Sequence, residues 1–289
     1  MLLDIMQPIF SCQNKVNPDL QDSSVILYVE VGQYHLAFFT TNPIGDIFTE
    51  YELFNTSTKI NADTVVEFIK NSNVFKKEYK KIVFVHHAKE SVLIPLKMFV
   101  SGTESSIIGS IHGDTVTQNF FTDVNAHPDI VNVFAIDQKI TAACNDLLSP
   151  VVHTHINSIS LKEIVRREKI NHENSIDMIF YPSSFHMIIV NDGALQFMQT
   201  FYFETEDDVL YYLQSAIHDQ SLTPSSLKAR VCGFIKEDSL FMSAIRQHAP
   251  HVEFQHPHVK IFIPCDTEVP LHYFTPLFIS TQCESSVAN

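Results

Sequence analysis

The sequence lacks tryptophan, contains only 7 glycines, and has far fewer basic than acidic side chains. Phosphate-binding loops are built from closely spaced glycines, and neither a GxxxxGK[ST] loop nor a GxGxxG turn occurs. With 19 Lys and Arg residues against 33 Asp and Glu residues, the formal net charge is −14. Such an acidic surface repels nucleic-acid backbones and anionic membranes, so we expect no nucleic-acid partner.

Neither a disulfide framework nor a membrane span is indicated. The chain has 5 cysteines, with no CxxC pair, which are Cys12, Cys144, Cys232, Cys265 and Cys283. Their odd number and wide spacing predict reduced thiols, and therefore a cytoplasmic location. No apolar run approaches the roughly 20 residues that cross a bilayer. The first 12 residues also lack the basic region of a signal peptide.

Two β-meanders divide the chain into similar halves. Apolar and β-branched runs separated by turn residues predict the following elements. In the first half they are strands at 25–31, 34–40 and 47–54, a helix from 62, a strand at 82–85, a helix at 138–148 and a strand at 151–154. In the second half they are strands at 178–181, 185–190 and 195–203, a helix from 205, a strand at 229–232, a helix at 238–248 and a strand at 252–254. The repeat predicts a duplicated β-β-β-α-β-α-β fold.

Other segments do not fit the repeat. Residues 91–100 are interpreted as a turn leading into a short helix, residues 129–136 as a further strand, and Ser160 with Glu163 as a capping box that begins a helix. The predicted organisation has three parts. They are an irregular lead-in at 1–23, a first subdomain at 24–172 with an insertion at 101–128, and a second subdomain at 173–289 whose C-terminal tail packs back on the first.

Short segments in a fixed order carry a resemblance that extends over nearly the whole chain. They are Tyr28 to Gly32 with Tyr34 to Leu36, Ser91 to Pro95 with Phe99, Val131 to Ile136, Glu206 to Leu213, and Gly233. The chain resembles a bacterial family of domain-of-unknown-function proteins in the actin-like ATPase superfamily, which includes sugar kinases, actin and Hsp70 ATPase domains. The resemblance implies an α/β, ribonuclease H-like fold with two halves around a central cleft, and it implies no established activity.

A nucleotide site in such a fold needs turns that present backbone N–H groups to phosphates and hydrated Mg²⁺. In the first half, Glu30 could supply the acid, and Gly32, followed by Gln33, allows a positive φ. The corresponding turn of the second half contains Pro182, which has no N–H. Gly233, in the adenosine-type position, is a single glycine followed by a bulky Phe. Glu30, Gly32, Gln33 and Gly233 are the candidate cofactor-binding residues; the alternative is that both glycines serve only to form turns.

Histidines provide the remaining candidate sites. They occur at the ends of two predicted strands, as His86, His87, His153 and His155, and near the C-terminus, as His251, His256 and His258 with Cys265. Strand ends are where α/β proteins place their sites, although exposed loop histidines are the commoner interpretation. The C-terminal group lacks the spacing of zinc ligands, so we predict no metal site there.

These observations favour a degenerate actin-like ATPase fold that acts as a non-catalytic binding or scaffold module. The alternative is a nucleotide-binding ATPase or kinase-like protein that uses ATP and Mg²⁺, on fold analogy alone. No resident cofactor is predicted. A protein partner is expected, and the sequence indicates neither its identity nor the oligomeric state.

Overall fold

The structure, a computed structural model, describes most of the chain. The described residues are 7–13, 24–113, 116–168, 174–220, 222, 228–249, 251–257 and 269–282. They form two compact units, one containing the described residues up to Lys162 and the other those from Glu163 onward. The boundary falls within a helix, and each unit has its own sheet.

The first unit is built around a six-stranded sheet. Its elements in chain order are β1 (Phe10–Gln13), β2 (Ile26–Val31), β3 (His35–Thr41), β4 (Phe48–Asn55), α1 (Ala62–Asn71), β5 (Lys81–His86), β6 (Ser91–Pro95), α2 (Glu104–His112), β7 (Gln118–Asp123), β8 (Ile130–Asp137), α3 (Gln138–Leu147), β9 (Val151–His155) and α4 (Ile156–Glu168). The main sheet has the strand order β1-β4-β3-β2-β5-β9. Strand β2 is buried along its whole length, since β3 pairs with it antiparallel and β5 pairs with it parallel.

The second unit has a five-stranded sheet. Its elements are β10 (Ser175–Tyr181), β11 (Ser184–Asn191), β12 (Ala194–Tyr202), α5 (Glu206–Asp219), β13 (Lys228–Gly233), α6 (Leu240–His248), β14 (His251–Phe254) and α7 (Thr275–Gln282). The strand order is β12-β11-β10-β13-β14. Helix α7 packs on β13 of this same unit.

The β-β-β-α-β-α-β order occurs twice, as the sequence predicted. In each unit an antiparallel meander is followed by parallel strands, with the strand order third, second, first, fourth, fifth. Local signals agree with this fold. Helix α1 begins where the Asn61 side chain accepts a hydrogen bond from the Thr64 N–H, and α5 begins with a capping box formed by Thr205 and Asp208.

Residues 91–137 contribute a separate three-stranded sheet, ordered β6-β8-β7, between β5 and α3. Helix α2 covers it, with Ile108 packed against Val131, Val133 and Ala135. The prediction of a turn and short helix at 91–100 was wrong for its first half, because these residues pair with β8 as an edge strand. Only Leu96–Met98 forms a helical turn. The described part of the second unit has no equivalent sheet.

Two further predictions were wrong. Helix α4 begins at Ile156, and Ser160 is buried within it, because Nδ1 of His155 accepts the Asn157 N–H and takes the capping role. Cys12 is disulfide-bonded, whereas Cys144 and Cys232 are free, as expected, and both are buried. Sequence spacing could not show this bond, because disulfide geometry depends on residues that folding brings together.

Among the described residues, no helix is both long enough and apolar enough to cross a bilayer.

Candidate functional site

The turn between β2 and β3 is held by three backbone hydrogen bonds. The Gly32 N–H donates to the His35 carbonyl oxygen at 2.9 Å. The Gln33 carbonyl accepts the Ile60 N–H at 2.7 Å, and the Tyr34 carbonyl accepts the Thr56 N–H at 2.8 Å. The turn is therefore fixed against the segments that follow β4, and the Gly32 N–H already has an acceptor within the protein.

The imidazole of His35 lies directly against Gly32. A Cβ placed on Gly32 would be 2.1 Å from Cε1 and 2.3 Å from Nδ1 of this ring. The sequence allowed a positive φ at Gly32, but its backbone does not lie in the left-handed region. Glycine is required instead because any larger side chain would collide with the ring. Gln33, the next predicted site residue, is partly exposed on the same turn.

Glu30 lies in β2, opposite Ala37 of β3 and Val85 of β5. Its side chain is buried, with 1% exposure, and burial raises its pKa to about 7. Its Oε1 atom has no hydrogen-bond partner among the described residues. This carboxyl group is not the solvated acid that a hydrated Mg²⁺ site would use.

His87 completes a group with Glu30 and His35 that sequence reasoning did not assemble. It follows β5, and its N–H donates to the Val31 carbonyl at 2.9 Å. The rings of His35 and His87 meet edge to face, with centroids 5.0 Å apart. All three side chains are buried, and one ligand atom from each lies within 4.8 Å of the others. Burial lowers the pKa of His35 to about 4.

A second histidine group lies at the ends of β5 and β9. His86 Nε2 and His153 Nδ1 are 3.0 Å apart, and the His155 Nε2–H donates to the Ala88 carbonyl at 2.8 Å. Burial lowers the pKa of His86, and lowers those of His153 and His155 to about 4. The interpretation of these residues as exposed loop histidines was wrong for His86, His87 and His155, which are buried. Their occurrence at the ends of adjacent parallel strands was the available signal.

The two predicted turns of the second unit have structural roles. Gly233 ends β13 with a φ of +86°, and a Cβ there would be 2.2 Å from the Phe180 carbonyl oxygen. That oxygen accepts the Phe234 N–H at 2.8 Å, so Gly233 allows the backbone of β13 to turn against β10. Between β10 and β11, Tyr181 pairs with Ser184, which leaves Pro182 and Ser183 as a two-residue turn.

The predicted C-terminal histidine group is only partly described. His258 and Cys265 lie outside the described residues. His251 is exposed at the start of β14, and the ring of His256 lies 6.2 Å from that of His272. Within the described ranges, Glu30, His35 and His87 are the group whose ligand atoms are close enough to hold a metal ion.

The architecture of this chain is shared by other solved structures, including the following two. One is a protein from Bacteroides thetaiotaomicron VPI-5482 with an actin-like ATPase fold and unknown function, which is 13% identical at a TM-score of 0.72. The match covers 93% of this chain and all of that one (100%). The other is the PilM-PilN type IV pilus biogenesis complex, 12% identical at a TM-score of 0.60, with 91% of this chain and 98% of that one covered.

Comparison with known sequences gives a family. No curated protein matches the chain. A family model described as "Protein of unknown function (DUF3822)" matches residues 13–252. The solved structures show that the fold is the actin-like ATPase fold. Since the family match spans well over half of the sequence, the chain belongs to the DUF3822 family of proteins of unknown function.

Proposed function

We propose that this protein is a non-catalytic binding or scaffold module whose actin-like fold has lost its nucleotide site. The observation that carries the proposal is the position of the His35 ring against Gly32. A phosphate bound at this turn would need free backbone N–H groups and open space beside them. The ring fills the space, and the Gly32 N–H is bonded to the His35 carbonyl.

The second unit supports the same conclusion. The turn that would face phosphates there consists of Pro182 and Ser183, and proline has no N–H to donate. The turn is also too short for a loop that wraps around an anion. Gly233 is accounted for by its close approach to Phe180, without a ligand. Each of the candidate turns therefore has a structural explanation.

A protein partner is the proposed ligand, and the segment from β6 to β8 is its proposed contact. Half of the exposed large apolar side chains of the described residues lie there, and they are Leu96, Met98, Val100, Ile111, Val116 and Val124. Exposed apolar side chains concentrated in one region are typical of interaction sites. One lysine against five acidic residues in 91–137 favours a partner segment with apolar anchors and basic flanks.

The similarity to PilM supports this proposal at the level of fold. That structure is a PilM-PilN type IV pilus biogenesis complex, so a protein of this fold occurs in a protein complex in at least one case. We propose the same general role, with a different partner, for this chain.

Nucleotide titration tests the loss of the site. Thermal unfolding with millimolar ATP and Mg²⁺ is expected to match unfolding with Mg²⁺ alone. A ligand present at about 100 times its Kd would stabilise the folded state by about 2.7 kcal/mol, which is easily measured. Hydrolysis of ATP by the wild type that is lost in Glu30→Ala would overturn the proposal. The His35→Ala variant opens the space beside Gly32. Nucleotide binding gained by this variant would show that the ring blocks the turn, and no gain would show that the turn does not bind phosphate even without the ring.

Partner capture with matched variants tests the contact surface. Met98→Ser and Ile111→Ser alter exposed side chains of the proposed surface, and Leu240→Ser alters an equally exposed side chain on α6. A partner retained by the wild type and by Leu240→Ser, but lost by the other two variants, is the expected result. Equal retention by all three variants would place the contact elsewhere.

A further inference from the structure

We propose that Glu30, His35 and His87 bind one divalent transition-metal ion of the Zn²⁺ class. The group supplies one carboxylate and two imidazoles, with ligand atoms that all lie within 4.8 Å of one another. Two histidines with one carboxylate form a known zinc ligand set, which leaves a fourth position for water or another ligand. The proposal goes beyond the loss of the nucleotide site and is tested separately from it.

The backbone holds these three residues in place without the ion. Glu30 lies in the centre of the sheet, where β2 pairs with β3 on one side and with β5 on the other. His35 is fixed across the turn by the hydrogen bond from the Gly32 N–H, and His87 by its N–H donation to Val31, each at 2.9 Å. Ligands on paired strands and a short turn lose little conformational freedom on binding, because they are already ordered.

The Glu30 carboxyl group is a second, independent observation. Its Oε1 atom is buried and has no hydrogen-bond partner among the described residues. Buried polar atoms are nearly always satisfied, and an exception needs an explanation such as an ion. Metal–ligand distances of about 2.0–2.2 Å place tetrahedral ligand atoms roughly 3.3 Å apart, so small side-chain rotations would complete the site.

The absence of a side chain at Gly32 leaves space for the His35 ring in this site. The His35 ring occupies the volume that a side chain at position 32 would take, with Cε1 2.1 Å from the position of a Cβ. The feature that blocks a phosphate turn is thus the same feature that brings His35 next to Glu30.

The donor set also predicts selectivity. Imidazole nitrogens suit Zn²⁺, Co²⁺, Ni²⁺ and Cu²⁺, whereas Mg²⁺ and Ca²⁺ prefer oxygen ligands. We therefore expect Zn²⁺ and Co²⁺ to bind, and we expect millimolar Mg²⁺ not to displace them. This distinguishes the site from a Mg²⁺–nucleotide site on the same turn.

Metal content of the full-length, tag-free wild type is the direct test. The chelator-treated protein is equilibrated with Zn²⁺ or Co²⁺, and a second sample is refolded with the ion because the ligands are buried. One ion per chain is expected, with the intense visible absorption of four-coordinate Co²⁺. Proton NMR of the Co²⁺ form should show two paramagnetically shifted, exchangeable imidazole N–H signals, one from each histidine. A wild type that retains no ion by either route, or that shows no such signals, overturns the proposal.

Variants assign the site to these residues. Glu30→Gln and His87→Gln are expected to weaken Zn²⁺ binding by more than the roughly 10- to 100-fold loss caused by removing a residue that only supports a ligand. The matched control is His218→Gln, because the His218 side chain is 90% exposed. If Zn²⁺ bound to surface histidines and not to the buried site, this variant would lose affinity. Circular dichroism establishes that each variant is folded. Unchanged affinity in folded Glu30→Gln and His87→Gln, or a loss in His218→Gln, contradicts the assignment.

Discussion

The imidazole of His35 and the backbone of Gly32 are in such close contact that position 32 has no room for a side chain. A Cβ on Gly32 would lie 2.1 Å from Cε1 of His35, although the backbone there has no left-handed φ. The glycine is required by its neighbour and not by its own conformation.

Gly32→Ala is therefore expected to destabilise the protein by overpacking, by about 1–3 kcal/mol. The matched control is Gly109→Ala in α2, where a Cβ would meet nothing within 4 Å. Alanine in a helix interior is favoured over glycine, so the control should be neutral or stabilising by up to about 1 kcal/mol. Urea unfolding of both variants measures the difference. Equal effects would show that the His35 ring moves aside freely.

Gly233 has both a positive φ and a close backbone neighbour, whereas Gly102 has only the positive φ. Both have a positive φ, +86° and +91°, but a Cβ on Gly233 would be 2.2 Å from the Phe180 carbonyl oxygen, while one on Gly102 would meet nothing within 4 Å. Gly102→Ala should cost about 1–2 kcal/mol for the left-handed backbone. Gly233→Ala should cost more, since a backbone oxygen cannot move aside as a side chain can. A smaller effect of Gly233→Ala in denaturant unfolding would contradict this explanation.

The repeated order of strands and helices was predictable because its signals are local. Apolar alternation and turn residues marked the strands, and the spacing of Val65 and Ile69 marked the buried face of α1. The start of α4 was not predictable in this way. The capping group there is His155, a residue type that sequence patterns do not associate with helix N-termini.

Only part of the candidate site could be identified from the sequence. Glu30 and Gly32 were selected from the turn after the first strand, which is a local feature. His87 joins them through the parallel pairing of β2 with β5, and no local pattern reports such a pairing or its register. His35 was visible three residues after Gly32, but its contact with the glycine depends on the side-chain position within a folded turn.

A buried charge network is expected to stabilise the second unit. Asp177 is 3% exposed and accepts hydrogen bonds from Arg167 at 2.5 Å and from Arg230 at 3.2 Å. In Asp177→Asn each guanidinium group loses its bond to that carboxylate but stays near a second acid, Glu163 for Arg167 and Glu253 for Arg230. We therefore expect a loss of about 1.5–3 kcal/mol. The control is Glu237→Gln, whose partner Arg246 is exposed and whose loss should cost at most about 1 kcal/mol. Similar unfolding free energies for the two variants would contradict the prediction.

Acid is expected to destabilise the first unit through His155. Burial lowers the pKa of His155 from 6.5 to about 4, and protonation of Nδ1 would also remove the acceptor of the Asn157 N–H. Below pH 6.5 the unfolded chain binds a proton that the folded protein does not. Stability from this residue is therefore complete above pH 6.5 and falls as the pH decreases towards 4, by up to about 3 kcal/mol at roughly 1.4 kcal/mol per pH unit.

Urea unfolding at a series of pH values between 7.5 and 4.5 measures this loss. In His155→Asn the amide oxygen can accept the Asn157 N–H without titrating, so the free energy of unfolding should depend less steeply on pH. The dependence should not vanish, because the lowered pKa values of His86 and His153 act in the same direction. His218→Gln, an exposed control, should keep the wild-type slope. If His155→Asn also keeps that slope, the acid sensitivity of the protein arises from other groups.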